Sequence, residues 1–392
     1  MTRPLLIIFL TIFVNLVGFG IIIPLLPFYA ETFGASPFTV GLLFAVFSLA
    51  QLIASPALGD LSDRYGRRPV LIFSLAGTVV SFVMLAMAHS VAMLFAARIV
   101  DGLSGGNIST ARAYVADITE PKDRARAYGI LGSAFGLGFI FGPALSGLLV
   151  KVSYTAPIWA AAGITVVATI MAWLWLPETV HRVQAGTGNP LRYLPELVRR
   201  PIVRRVLAID FIFWFALAIF QTTFGLFVAA RFGFGPAPTG YLFAGFGLLG
   251  AIVQGGLIRP IVRRLGDKTT FIVGLVFGAI GLAGASVTHS VPMFVLILLP
   301  LSLGMGLGMP TISSLVSRAA GTHEQGRVQG VASAVESLSR TLGPVWGAAV
   351  LQRFGEAAPY LSAAAFFLLT WVMTVGYHVA DPDHLVATIP PV

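Results

Sequence analysis

The sequence predicts an all-α membrane protein, with twelve transmembrane helices arranged as two pseudo-symmetric six-helix bundles. Three observations predict it. The 392 residues are 57% hydrophobic and only 10% charged, with a mean hydropathy of +0.88. A soluble domain is about 45–50% apolar and about 25% charged. The apolar residues gather into runs long enough to cross a hydrocarbon core of about 30 Å at about 1.5 Å per residue. Several short motifs of the first half return in the second at an offset of 200 or 201 residues.

The apolar runs fall at 5–28, 37–58, 69–88, 91–115, 125–150, 155–176, 204–230, 238–258, 269–288, 291–318, 326–352 and 358–379. The first is long and no small-residue cleavage site follows it, so it reads as a retained helix and not a signal peptide. The 43 Gly and 24 Pro fit membrane helices, while 30 Phe and the lack of low-complexity tracts exclude disorder. Without Cys there is no disulfide and no thiolate metal site.

The formal charge of +9 does not point to nucleic acid, because the basic residues sit in short loops between apolar runs. With the N-terminus inside, 19 of the 25 Lys and Arg fall in cytoplasmic segments. Outer loops hold 3 (Lys151, Arg231, Arg353) and spans hold 3 (Arg98, Arg112, Arg340). That asymmetry places both termini in the cytoplasm. The longest polar stretch, 177–203, separates a first bundle (1–176) from a second (204–392). HSVAM at 89–93 recurs as HSVPM at 289–293, Tyr65-Gly66 as Leu265-Gly266, and Gly142-Pro143 as Gly343-Pro344. A register held over several helices marks two tandem repeats, the layout of a rocking transporter with its site between the halves.

Between the second and third runs stands GDLSDRYGRRP (59–69), with five charges in eleven residues. It resembles the G-x-L-x-D-R-x-G-R-R signature of the major facilitator superfamily, at that family's usual place. RIVDG (98–102) is similar to the superfamily's span-4 arginine motif, and GLGFIFGPALSG (136–147) to the Gly-rich span-5 motif of its proton-coupled drug antiporters. AQLIASPALGDLSDRYGRRPVLIFSLAG (50–77), AYVADITEPKDRAR (113–126), VQGGLIRPIVRRLGD (253–267) and GLGMPTISSLVSR (306–318) echo the twelve-span tetracycline efflux antiporters most closely. The resemblance covers nearly the whole chain. It implies the major facilitator fold and alternating access in the inner membrane of a bacterium, driven by a proton gradient and needing no cofactor.

In the hinge, Gly59 and Gly66 permit tight turns and close helix approach, and Asp63 can face a helix N-terminus. The resemblance makes that helix span 11. It implies that Arg67 pairs with Asp63 and Asp117, latching the two halves on the inner side. The other reading is a solvated loop with surface pairs worth about 0–1 kcal/mol, and Arg64 and Arg68 fit that reading. The second-half counterpart, RPIVRRLGDK (259–268), has Arg263 where the first half has Asp63, so its latch is expected to be weaker.

A charge at bilayer depth costs at least about 2.5–3.5 kcal/mol, which makes each one a functional candidate. Arg98 and Asp101 lie at i,i+3, and Glu336 and Arg340 at i,i+4. Asp101 and Glu336 both sit about 15 Å along their spans. Two acids near the midplane, each beside an arginine, suit proton coupling, since a moving arginine changes a carboxyl's affinity for its proton. Structural ion pairs are the alternative. Arg112 and Asp210 lie nearer span ends, and Arg112 is placed on the inner cavity.

The tetracycline antiporters carry intramembrane aspartates on spans 1, 3 and 9. Here those positions hold Asn15, Ser81 and Gly278, so coupling must use other acids and tetracycline is in doubt as a substrate. Gln51 and Gln254 match polar positions of that family and either face the cavity or bond between helices. On span 7, Phe211, Trp214, Phe215, Phe220, Gln221, Thr222, Thr223 and Phe224 suit an amphipathic organic ligand, or face lipid. The candidate cavity thus comprises Asn15, Gln51, Arg112, Asp210, Trp214, Gln221 and Gln254.

No enzyme constellation, Walker lysine or metal-ligand His spacing is present. The expectation is a monomeric secondary transporter in the lipid bilayer, exporting an amphipathic organic molecule against protons. Import or lipid/sugar translocation on the same fold is the first alternative, and a non-transporting receptor the second.

Overall fold

The computed structural model describes residues 3–105, 107–120, 123–179, 193–319 and 324–376. The basic linker residues Arg182 and Arg192, and Lys122, lie outside the described residues. Among the described residues the structure is helical, with no strand. The first half comprises α1 (Arg3–Glu31), α2 (Pro37–Tyr65), α3 (Arg67–Ala86), α4 (Val91–Ser104), α5 (Asn107–Ile118), α6 (Arg124–Leu149) and α7 (Ala156–Trp175). After a short α8 (Leu194–Arg199) come α9 (Pro201–Phe232), α10 (Pro236–Ile252), α11 (Ile258–Val287), α12 (Val291–Arg318), α13 (Gln325–Phe354) and α14 (Ala358–Val375).

Nine helical runs among the described residues are long and apolar enough to cross a membrane. One of them, Pro236–Val287, has 52 residues. That is too long for one crossing at about 1.5 Å per residue, and it divides at Gly266, whose φ of 76° breaks the helix. The two predicted spans outside this set have clear reasons. The fourth is interrupted at Gly105, leaving α4 with 14 residues and α5 with 12. The eleventh, α13, carries Glu336 and Arg340.

The interruption at Gly105 breaks the helix within the span expected over 91–115. Gln51 on α2 donates its Nε2–H to the Gly105 carbonyl at 2.8 Å. A side chain that takes a backbone acceptor in this way is a recognised cause of helix breaks. A second irregularity is the π-turn Val253–Leu257, which joins α10 to α11. Hinges are tighter than the apolar runs implied. GDLSDRYGRRP is helical throughout except at Gly66, whose φ of 109° turns α2 into α3.

The chain packs as two compact units. One contains Met1–Asn189, Gln221–Leu248 and Pro344–Glu356, and the other Pro190–Phe220, Leu249–Gly343 and Ala357–Val392. In the first, Ile8, Leu75, Tyr114, Leu131 and Leu176 build a buried core across α1, α3, α5, α6 and the end of α7. Glycines set the helix spacing. A Cβ at Gly142 of α6 would stand 2.7 Å from the Gly20 Cα of α1, and one at Gly240 of α10 would stand 2.9 Å from the Gly147 Cα. In the second unit, a Cβ at Gly304 of α12 would stand 2.7 Å from the Gly278 Cα of α11. Lipid tails are as apolar as leucine, so association in the bilayer rests on such close approach.

Replacing Gly142 by Val should force α1 and α6 apart, at a cost of about 1–3 kcal/mol. The thermal midpoint of the purified protein should fall. Gly163→Ala, where a Cβ meets nothing within 4 Å, should leave it unchanged.

Candidate functional site

Three polar clusters stand out, and each lies within one unit. The first surrounds the α2–α3 hinge. Arg67 pairs with Asp63 one turn before it on α2. Its Nε reaches Asp117 Oδ2 on α5 at 3.1 Å, and its Nη1 donates to Ser62 Oγ at 2.7 Å. One guanidinium, with its rigid fork of donors, therefore joins α2, α3 and α5. Arg67, Asp63 and Asp117 thus come together next to Gly66.

Glu178, three residues beyond α7, is a member that sequence reasoning missed. Its carboxylate accepts from the backbone N–H of Arg67 at 2.9 Å and of Arg68 at 3.2 Å, capping the start of α3. An anion at a helix N-terminus satisfies orphan donors and opposes the dipole. Gly66 is held to glycine twice over, by its positive φ and by the Glu178 carboxylate against it. Thr179 donates to the same Asp117 oxygen at 3.2 Å, and Tyr114 donates to the Pro177 carbonyl at 3.0 Å. The run Pro177-Glu178-Thr179 opens the polar linker, which was the available signal.

Two details differ from the sequence reading. Gly59 lies inside α2 and a Cβ there would meet nothing within 4 Å, so neither a turn nor a close approach explains it. Arg68 bonds the Trp173 carbonyl of α7, and Arg64 pairs with Asp60 at 2.9 Å.

The second-half hinge carries an ion pair of reversed charge. Asp267, after Gly266, meets Arg318 at the end of α12 at 2.6 Å and accepts from Ser314 at 2.8 Å. Arg67 and Asp117 correspond to Asp267 and Arg318 at offsets of 200 and 201. The expectation of a weaker counterpart compared Asp63 with Arg263, but the contact is made four residues later.

The second cluster is on α4. Arg98 is 1% exposed, and its Nη1 meets Asp101 Oδ2 at 2.7 Å. Its guanidinium lies 4.1 Å from the Phe47 ring centroid of α2, a cation–π contact that strengthens on desolvation. Beside it, Gly102 packs on the Phe47 carbonyl. Nothing in the sequence marked Phe47 as the partner.

The third cluster joins α9 and α13. Arg340 Nη2 lies 3.5 Å from Glu336 Oε2, and the guanidinium 5.1 Å from the Trp214 ring centroid. Asp210 is 1% exposed, and both Glu336 and Arg340 act on it electrostatically. The Trp214 indole N–H is close to the Asp210 carboxylate but makes no hydrogen bond of full geometry. Asp210 Oδ2 is buried without a hydrogen bond. The sequence placed Asp210 and Trp214 on a cavity and Glu336 and Arg340 in coupling; they form one constellation.

The remaining cavity candidates differ in exposure. Asn15 and Gln221 are half-buried, while Arg112 and Gln254 are exposed, Gln254 within the π-turn. Gln51 bonds between helices through Gly105. Of the span-7 aromatics, Phe220 and Phe224 are fully buried, against Tyr360 and Phe243. They are packing residues and face neither ligand nor lipid.

The family model of the Major Facilitator Superfamily matches residues 8–344 and 258–389. The chain is 35% identical over 367 residues to a class G tetracycline resistance protein of Vibrio anguillarum, covering 92% of this chain and 90% of that protein. It is 30% identical over 373 residues to multidrug resistance protein 2 of Bacillus subtilis (strain 168), covering 93% and 91%. Among solved structures, the human organic anion transporter MFSD10 (TETRAN) matches with a TM-score of 0.74 and 25% identity, over 95% of this chain and 99% of that one.

Removing the carboxylate that caps α3 should cost about 1 kcal/mol, the usual worth of a helix cap. Glu178→Ala should lower the thermal midpoint of the purified protein. Glu178→Gln, which keeps an acceptor oxygen, should lower it less.

Proposed function

The chain belongs to the major facilitator superfamily, and on that premise we propose that it exports an amphipathic organic molecule in exchange for protons. It is a multi-pass integral membrane protein and a transporter, not an enzyme, as its family and relatives are. Proton-driven efflux is the finer reading. The observation that carries it is the pair of arginine–carboxylate clusters within the spans, Arg98–Asp101 and Asp210–Glu336–Arg340. Charges so expensive to hold in a bilayer have an evident use in moving a proton. The likeness to tetracycline and multidrug resistance proteins supports export.

In this reading the protein is a monomer in the inner membrane of a bacterium, both termini cytoplasmic, and the proton gradient drives it without a cofactor. The Arg67 cluster with Asp63, Asp117, Gly66 and Glu178 serves as an inner-side latch that strengthens and releases as access alternates. Asn15, Gln51, Arg112, Asp210, Trp214, Gln221 and Gln254 contribute to the substrate path. Tetracycline is not the favoured substrate. In its relatives' acidic positions on spans 3 and 9 stand Ser81, which donates to the Ala97 carbonyl at 2.9 Å, and Gly278, where a Cβ would press within 2.7 Å of Phe367. A second reading, export of an organic anion, draws on the likeness to MFSD10, a human organic anion transporter.

Proteoliposomes with an imposed pH gradient and a panel of amphipathic cations, anions and neutral compounds test the proposal. At least one compound should move protons in wild type, and the coupled flux should vanish in Glu336→Gln. Silence of the wild type toward the whole panel overturns it.

A further inference from the structure

The two hinges of the repeat treat their arginines differently. At an offset of 200, GDLSDRYG (59–66) aligns with RPIVRRLG (259–266). The first stretch holds two acids and one arginine, the second three arginines and no acid. Pro260 stands where the first half has Asp60, and Arg263 where it has Asp63. Around the first hinge every arginine has a partner within the protein. Arg64 pairs with Asp60, Arg67 with Asp63 and Asp117, and Arg68 with the Trp173 carbonyl. The second hinge lacks that supply. No acid occurs from 211 to 266, and Asp267 is buried against Arg318 and Ser314.

Arg259, Arg263 and Arg264 are all exposed, on the part of α11 that precedes Gly266. Among the described residues none of the three makes an ion pair, a hydrogen bond or a ring contact. Arg259 and Arg263 lie one turn apart on one face of that helix. Their level in the membrane follows from the apolar runs. The run 238–258 ends immediately before Arg259, and the next, 269–288, begins after the hinge. Each run is about 30 Å long at about 1.5 Å per residue, the thickness of the hydrocarbon core. The three cations therefore stand where hydrocarbon gives way to headgroups. Leu257 and Leu265, both exposed, flank them. Exposed cations beside exposed apolar side chains fit the boundary between acyl chains and headgroups.

We propose that Arg259, Arg263 and Arg264 bind the headgroup phosphate of an anionic phospholipid in the leaflet that meets this hinge. A guanidinium presents a planar fork of donors that matches phosphate oxygens two at a time. Three guanidinium groups without an acid of their own draw their counter-charge from outside the protein, and at headgroup level that charge is lipid phosphate. A zwitterionic lipid carries its own cation next to the phosphate and neutralises them less. Leu257 and Leu265 favour lipid over a soluble anion, which has no use for apolar neighbours. The site is one-sided in the repeat, because the first hinge satisfies its arginines internally. No substrate or proton enters this assignment, so it stands apart from the efflux reading.

Native mass spectrometry of the full chain in detergent, titrated with phosphatidylglycerol or phosphatidylcholine, tests this by counting bound lipid. Wild type should bind phosphatidylglycerol about tenfold more tightly than phosphatidylcholine. The triple variant Arg259→Gln/Arg263→Gln/Arg264→Gln should lose that preference. The triple variant with lysine at the same positions should keep it, which separates loss of charge from loss of fold. Arg64→Gln, at the first hinge, should also keep it. Glycerol phosphate and inorganic phosphate, at the concentration of the lipid, should not displace it. Equal binding of the two lipids by wild type overturns the assignment. So does a preference kept in the glutamine variant, a preference lost in the lysine variant or in Arg64→Gln, or displacement by either soluble phosphate. A silent transport panel with the lipid preference intact counts against the efflux reading alone, and coupled transport without the preference counts against the lipid site alone.

Discussion

A charge inside the hydrocarbon has to be met by an opposite charge, and much of the packing follows from that demand. Arg98 shows the sequence of consequences. Its guanidinium pairs with Asp101 one turn along the same helix, which fixes the face of α4 that carries both. That face meets Phe47 on α2 through the ring, 4.1 Å from the guanidinium carbon. For the ring to reach the cation the two backbones must come close, and Gly102 lies against the Phe47 carbonyl there. The bond from Gln51 to Gly105, one turn further along both helices, extends the same contact. The ion pair, the cation–π contact, the glycine and the break in α4 are four parts of one helix–helix interface.

The hinges obey the same demand in a wetter setting. Each of these two hinges turns at a glycine of positive φ, Gly66 or Gly266, followed at once by a charged residue that reaches the C-terminal end of another helix. In the first half the hinge residue is the cation, and in the second it is the anion. The repeat thus keeps an electrostatic link at this place while exchanging its signs. The first half adds Glu178, so that the chain leaving α7 is bonded to the start of α3.

Much of this was legible in the sequence, and what was not has a physical reason. Apolar runs and the 200-residue repeat gave the spans because a bilayer demands continuous apolar length. Arg67, Asp63 and Asp117 were legible through the resemblance of GDLSDRYGRRP and its surroundings to a known family signature. Phe47 was not, because one phenylalanine among 30 carries no signal until a cation is placed above it. Glu178 was hidden because capping depends on where a chain folds back, more than a hundred residues from the hinge. Asp210 was under-read because counting along one span does not show that Trp214 and the α13 pair Glu336–Arg340 gather around it. Gly59 was over-read: glycine in a motif suggested a turn, and the helix runs through it.

Packing also accounts for how this chain departs from the tetracycline antiporters it resembles. An acid on α11 at position 278 would have to grow into the Phe367 ring, on a helix whose glycine face is already filled by Gly304 of α12. An acid at position 81 would displace the bond from Ser81 to the Ala97 carbonyl, beneath a helix that must hold Arg98 rigidly. Both sites are committed to close helix contact and have no room for a solvated or protonatable group. The Glu336–Arg340 contact is longer, at 3.5 Å, with the Trp214 ring 5.1 Å from the guanidinium, whereas Arg98 and Asp101 meet at 2.7 Å. The charges kept within these helices are therefore held more tightly on α4 than on α13.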